Sequence, residues 1–94
     1  MSPTKLADDA VLRELAATPG WTRDGDAIRR VWRFADFKAA MIFVNGVAAL
    51  AEKANHHPDI AVHYNEVTLR LWSHDAGGLT GRDFDLARRI GEAL

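Results

Sequence analysis

Apolar residues recur at three- and four-residue spacing along one stretch of the chain: Phe37, Ala40, Met41, Val44, Val47, Ala48 and Ala51. That period predicts a helix over residues 37–54, roughly 27 Å long at 1.5 Å per residue. Asp36 is placed to cap its start. Pro58 disfavours helical geometry at His57, so the helix is expected to end near Asn55 and to present His56-His57 at its exit. Ile42, Phe43, Ala49 and Leu50 fall outside the main stripe. Two explanations stand level at this point: a helix sunk deep in the core, or one that also meets a second subunit.

The flanking patterns complete the layout. Asp8 to Ala17 reads as a short amphipathic helix with Val11, Leu12 and Leu15 on one side and acidic residues in its first turn, stopped by Pro19-Gly20. Asp24-Gly25-Asp26 separates two extended runs and predicts a hairpin, the second run being Ala27 to Phe34. After Pro58 the period becomes two. Ile60, Val62 and Tyr64 alternate with Ala61 and His63; beyond a turn at Asn65-Glu66, Val67, Leu69 and Leu71 alternate with Thr68, Arg70 and Trp72. His74 has the parity of Trp72 if that strand reaches it. Thr80-Gly81-Arg82-Asp83 has the form of a capping box, and Phe84, Ala87, Ile90 and Leu94 supply the buried stripe of a last helix. The order α-β-β-α-β-β-α predicts an α+β fold: one four-stranded antiparallel sheet with three helices on one face, the other face partly free.

Composition narrows the function classes. The 94 residues leave room for one core, so residues 1–94 are expected to form a single domain. A net charge of −1 argues against a general nucleic-acid binder, which needs a basic field. There is no cysteine, hence no thiol nucleophile and no thiolate zinc site. The start, Met1-Ser2-Pro3-Thr4-Lys5, has no apolar leader and no membrane-spanning run occurs, so a cytoplasmic protein with no membrane partner is expected. Small size makes a homo-oligomer a reasonable expectation.

The candidate chemistry lies in the histidines. His56, His57, His63 and His74, all the chain has, fall within 19 consecutive residues. Imidazole titrates near neutrality, with an unperturbed pKa of about 6.5, so a cluster can both give and take protons. His56 and His57 leave a helix C-terminus, where the dipole favours positive charge. Glu52, one turn earlier, can hold an imidazole by hydrogen bond. Glu52, His56, His57 and His74 together suit general acid–base catalysis. Zinc fits the ligand types, but adjacent histidines at a helix exit are poorly placed to share one ion, and no metal is expected. His63 reads as a solvated strand residue. Asp83 has a plain structural role as the acid of its capping box, and exposed arginines such as Arg70 and Arg82 commonly serve solubility alone.

Glu52-x3-His56-His57-Pro58, then Tyr64, His74 and Asp83, resembles the signature of the pterin-4a-carbinolamine dehydratases. Gly20-Trp21, Phe34-x-Asp36-Phe37, Ala51-Glu52-Lys53 and Gly78-Leu79-Thr80-x-Arg82-Asp83 extend the likeness over nearly the whole chain. The resemblance implies three helices against a four-stranded antiparallel sheet, and a lyase that dehydrates 4a-hydroxytetrahydrobiopterin to quinonoid dihydropterin without a cofactor, as in tetrahydrobiopterin recycling. It carries His56, His57 and His74 over as catalytic and pterin-binding residues. Glu52 is carried over as an orienter of the cluster and Asp83 as a support at the rim, with Pro58 and Arg82 beside them. It also implies a homodimer or homotetramer. Two alternatives attach to the same family: a non-catalytic dimerisation or coactivator module, and a pterin-site relative in molybdopterin metabolism. The chain departs from the family at Ile60, where an aromatic residue, commonly Trp, is expected; this bears on how a pterin is held.

Overall fold

The structure, a computed structural model, describes residues 4–94; the first three residues of the polar start lie outside the described residues. The long helix forms where the period predicts it. This helix, α2, spans Phe37–Ala54, with Asp36 Oδ1 accepting the Ala39 N–H at 2.8 Å. Its buried residues are Ala40, Phe43, Val47 and Ala51; three of these belong to the predicted stripe, and the inward face is rotated from it only so far that Phe43 points in and Phe37 is exposed. Aromatic packing sets that rotation. Phe43 lies 4.8 Å from Trp32 and 5.1 Å from Phe34, and Trp32 meets Trp21 edge-on at 5.6 Å.

Before α2 come helix α1, Asp8–Ala16, and strands β1, Thr22–Asp24, and β2, Ala27–Arg33; after it come β3, Asp59–His63, β4, Glu66–Leu71, and helix α3, Gly81–Ala93. All pairings are antiparallel, in the order β1-β2-β4-β3, so β4 is central and β3 is an edge. The register sets Ile28 beside Leu71, Trp32 beside Val67 and Ile60 beside Leu69, which collects the large apolar side chains on one face. Val11 from α1, Val47 from α2 and Phe84, Leu86, Ala87 and Ile90 from α3 close over that face to make the core. The result is the expected α+β layout with its three helices on one side of the sheet. Arg30 shares the covered face, and its guanidinium lies 4.6 Å over the Trp32 ring. At the far side of the core Arg88 of α3 donates to Glu14 of α1 at 2.9 Å, and this bond holds the guanidinium above its ordinary pKa.

Four expectations are corrected. The β3–β4 turn is Tyr64-Asn65, one residue earlier than predicted, because His63 pairs with Glu66 and Asn65 is tied to Phe34 by Asn65 Nδ2→O at 2.9 Å and Phe34 N→Asn65 O at 2.8 Å. Strand β4 stops at Leu71. Ser73 instead bridges Gly78, so the chain reverses and His74 sits on a single 3-10 turn, His74–Ala76, not on a strand. Leu94, placed in the buried stripe of α3, follows the last helical residue and is 53% exposed, its side chain lying against Gly46 of α2. Leu12 is also exposed, since Val11 is the residue that α1 buries.

Candidate functional site

The site begins at the end of α2. Asn55 takes the left-handed conformation, φ 51 and ψ 42, while its N–H bonds to Glu52 O at 3.2 Å and the His56 N–H bonds to Ala51 O at 3.1 Å. This pair of bonds is a Schellman motif, which ends the helix and fixes where the next residues go. The turn separates neighbours in sequence: His56 goes inward, 8% exposed, and His57 stays outside.

Each of these two imidazoles has its own carboxylate. His57 Nε2 lies 2.5 Å from Glu52 Oε2, both side chains well exposed. The sequence places Glu52 nearest His56, yet it serves His57. His56 Nε2 lies 2.5 Å from Asp83 Oδ1, and Asp83 is fully buried. Asp83 is therefore not at the rim but behind His56. Its other oxygen, Oδ2, accepts from Ser73 Oγ at 2.9 Å and from the Thr80 N–H at 2.9 Å. Ser73 Oγ is also 2.9 Å from Thr80 Oγ1. One carboxylate thus completes the capping box of α3 and anchors the exit of α2, joining both to the segment that follows β4. The capping-box reading of Asp83 holds at Oδ2, and Oδ1 makes a contact to His56 in place of the expected position at the rim.

Against these groups lies a hollow of about 460 Å³, lined by Asn55, His56, His57, Pro58, Asp59, Trp72, His74, Asp75 and Arg82. His56, His57 and His74 thus share one hollow although they come from two separate segments. The His74 ring is 4.2 Å from Trp72 with 55° between planes. Trp72 has the parity of Arg70 on the helix-free face, and the Arg70 guanidinium, which donates from Nε to Asp24 at 3.1 Å, lies 5.2 Å from the Trp72 ring. Arg82 grips Asp75 through both carboxylate oxygens at 2.8 and 3.1 Å, fastening α3 to the 3-10 turn. Glu52 and Asp83 touch the hollow only through the imidazoles they hold.

Not every residue singled out in the sequence arrives here. His63 is exposed and Tyr64 forms the turn beyond it, at the opposite end of β3 from Pro58. Ile60 lies on the helix side of the sheet, paired with Leu69, and is not among the lining residues. Sequence reasoning passed over Trp72, Ser73, Asp59 and Asp75. The available signal for Trp72 was its parity: a tryptophan on the face opposite Leu69 and Leu71, two residues from His74, has no core to fill. No three histidine and carboxylate groups converge as a metal-ligand cluster among the described residues. Chemically, the hollow offers imidazoles that donate or accept protons and an aromatic wall.

Comparison with known proteins supplies the family. Residues 4–93 match the family described as pterin 4 alpha carbinolamine dehydratase. A relative from Acidobacterium capsulatum is 54% identical over 90 residues, covering 96% of this chain and 97% of its own. One from Thermomicrobium roseum is 51% identical over 88 residues, covering 94% and 95%. Both carry pterin-4-alpha-carbinolamine dehydratase as a provisional name. The crystal structure of a Brucella melitensis protein described as a transcriptional coactivator/pterin dehydratase superposes with a TM-score of 0.90 at 33% identity, over 95% of this chain and 97% of that one. A pterin dehydratase-like protein described as a RuBisCO assembly factor in the alpha-carboxysome shares the fold, with a TM-score of 0.66 at 21% identity over 78% of this chain and 87% of its own. With a match over nearly its full length and relatives at about half identity, the chain belongs to the pterin 4 alpha carbinolamine dehydratase family.

Proposed function

We propose that the protein dehydrates 4a-hydroxytetrahydrobiopterin to quinonoid dihydropterin by histidine acid–base catalysis, in the cytoplasm, as part of tetrahydrobiopterin recycling. The C4a hydroxyl takes up a proton and leaves as water, the N5–H proton is removed, and C4a–N5 becomes a double bond. One C–O bond breaks, one C=N bond forms, and no electrons are exchanged with a cofactor. His56, His57 and His74 move the protons; Glu52 and Asp83 orient His57 and His56; Pro58 and Arg82 shape the rim. The observation that carries this reading is the meeting of all three imidazoles on one hollow of about 460 Å³ with Trp72 as a wall.

The test is the decay of enzymatically generated 4a-carbinolamine. Wild-type protein is expected to accelerate it, and His56→Ala combined with His74→Ala to remove at least about 100-fold of that rate, the usual contribution of positioned acid–base groups. A chelator is expected to leave the rate unchanged. No acceleration by wild type, or full acceleration by the double variant, rejects the proposal; loss of rate with chelator rejects its metal-free form. A second reading, a non-catalytic partner-binding module, is favoured by the coactivator description of the Brucella relative. A stoichiometric protein partner on purification, together with absent turnover, selects it.

The proposal includes assembly into a homodimer or homotetramer. It is supported by apolar side chains the fold leaves uncovered: Ile42 on α2 is 65% exposed, and Ile60 and Val62 on edge strand β3 are 38% exposed. No helix among the described residues is long and apolar enough to cross a membrane.

A further inference from the structure

We propose that Ser73 is a positioning residue that, through Asp83, holds His56 with its proton on Nε2, so that the nitrogen His56 offers for chemistry is a bare, accepting Nδ1. This deepens the acid–base reading above and rests on it for its kinetic arm only.

The direction of the hydrogen bonds follows from what each atom can do. Asp83 Oδ2 accepts the Thr80 N–H and the Ser73 hydroxyl, each at 2.9 Å. A serine hydroxyl has one hydrogen. Once that hydrogen is committed to Asp83, the 2.9 Å contact between Ser73 Oγ and Thr80 Oγ1 requires Thr80 to donate, and Thr80 Oγ1 in turn accepts the Arg82 N–H at 3.3 Å. Every donor in the chain points the same way: Arg82 N–H to Thr80, Thr80 to Ser73, Ser73 to Asp83. As a carboxylate, the form its two donors at Oδ2 favour, Asp83 accepts at Oδ1 as well, and the partner there, His56 Nε2 at 2.5 Å, then carries the hydrogen.

The other ring nitrogen has a different situation. With Nε2 on Asp83, His56 Nδ1 has no hydrogen-bond partner among the described residues. His56 itself lines two openings, the hollow shared with His57 and His74 and a second beside Arg82 and Arg89. Ser73, Thr80 and Asp83 are all essentially inaccessible, so water does not replace a lost bond in this chain easily.

The experiment has two arms on the full chain. In the first, nitrogen-15 shifts of the histidine rings are recorded at a pH where His56 is neutral. Wild type is expected to show a protonated Nε2 and an unprotonated Nδ1, Ser73→Ala a mixture of tautomers, and Ser73→Thr the wild-type pattern. In the second, Ser73→Ala is expected to lower kcat about tenfold, the worth of one hydrogen bond to a charged group, with KM nearly unchanged, and Ser73→Thr to restore it. A proton on Nδ1 in wild type overturns the proposal. So does a Ser73→Ala protein whose tautomer and kcat match wild type while only its melting temperature falls. The spectroscopic arm reads the same with or without turnover, so failure of the dehydration assay overturns the proposed reaction and not this inference.

Discussion

Two imidazole–carboxylate pairs of equal length, 2.5 Å each, involve neighbouring histidines and differ in burial and in how many donors the carboxylate holds. Burial decides what each is worth. Asp83→Ala leaves His56 Nε2, Ser73 Oγ and the Thr80 N–H without their acceptor inside the protein, and the expected loss is about 3 kcal/mol. In a domain this small that lowers Tm by more than about 10 °C. Glu52→Ala removes an exposed pair and is expected to change stability by less than about 0.5 kcal/mol. Urea unfolding of the two variants beside wild type measures the contrast; equal losses refute it. The sequence indicated Asp83 from Thr80 three residues before it, because a capping box is a local pattern. Its bond to His56 spans 27 residues and depends on how α2 and α3 meet, which local spacing does not encode.

Element ends position the chemistry more than element bodies do. Asn55 is the one non-glycine residue at the α2 exit with positive φ, and the bonds around it turn His56 inward. Asn55→Gly is expected to hold stability within a few tenths of a kcal/mol, since glycine takes the left-handed position freely. Asn55→Val is expected to cost about 1 kcal/mol, because a β-branched residue resists that conformation. If the Schellman turn aims His56, Asn55→Val also lowers carbinolamine turnover while Asn55→Gly keeps it; equal turnover in both removes the turn from the account. The body of α2 was readable from its period, its cap and Pro58. Its inward face was readable at Ala40, Val47 and Ala51 but not at Phe43, because Phe37 and Phe43 are equally apolar and only the Trp32 and Phe34 rings distinguish them. The 3-10 turn at His74 was hidden for a similar reason: the alternation runs unbroken to Trp72, and the Ser73–Gly78 bridge that ends it is a pairing, not a composition.

For the whole molecule, element order gave the layers, since hairpins separated by helices have few ways to bury one face. Strand order and register required the coordinates, and with them comes the asymmetry that assembly would use. Strand β4 is covered on both edges, whereas β3 has a neighbour on one side only and carries Ile60 and Val62 partly uncovered toward the helix side. An edge strand with apolar side chains and free backbone groups is a template for pairing, and in a 10.4 kDa chain the core alone yields modest stability. Sedimentation equilibrium is therefore expected to give a mass two or four times that of the chain. Val62→Lys puts a charge on the edge strand, and Ile42→Glu puts one on the outer face of α2, neither among the residues lining the histidine hollow. If β3 carries the association, Val62→Lys shifts the mass toward 10.4 kDa and Ile42→Glu does not; the reverse pattern assigns it to α2, and a response to both indicates two interfaces, as a tetramer needs. A wild-type protein that sediments at the mass of one chain across the micromolar range defeats the expectation outright.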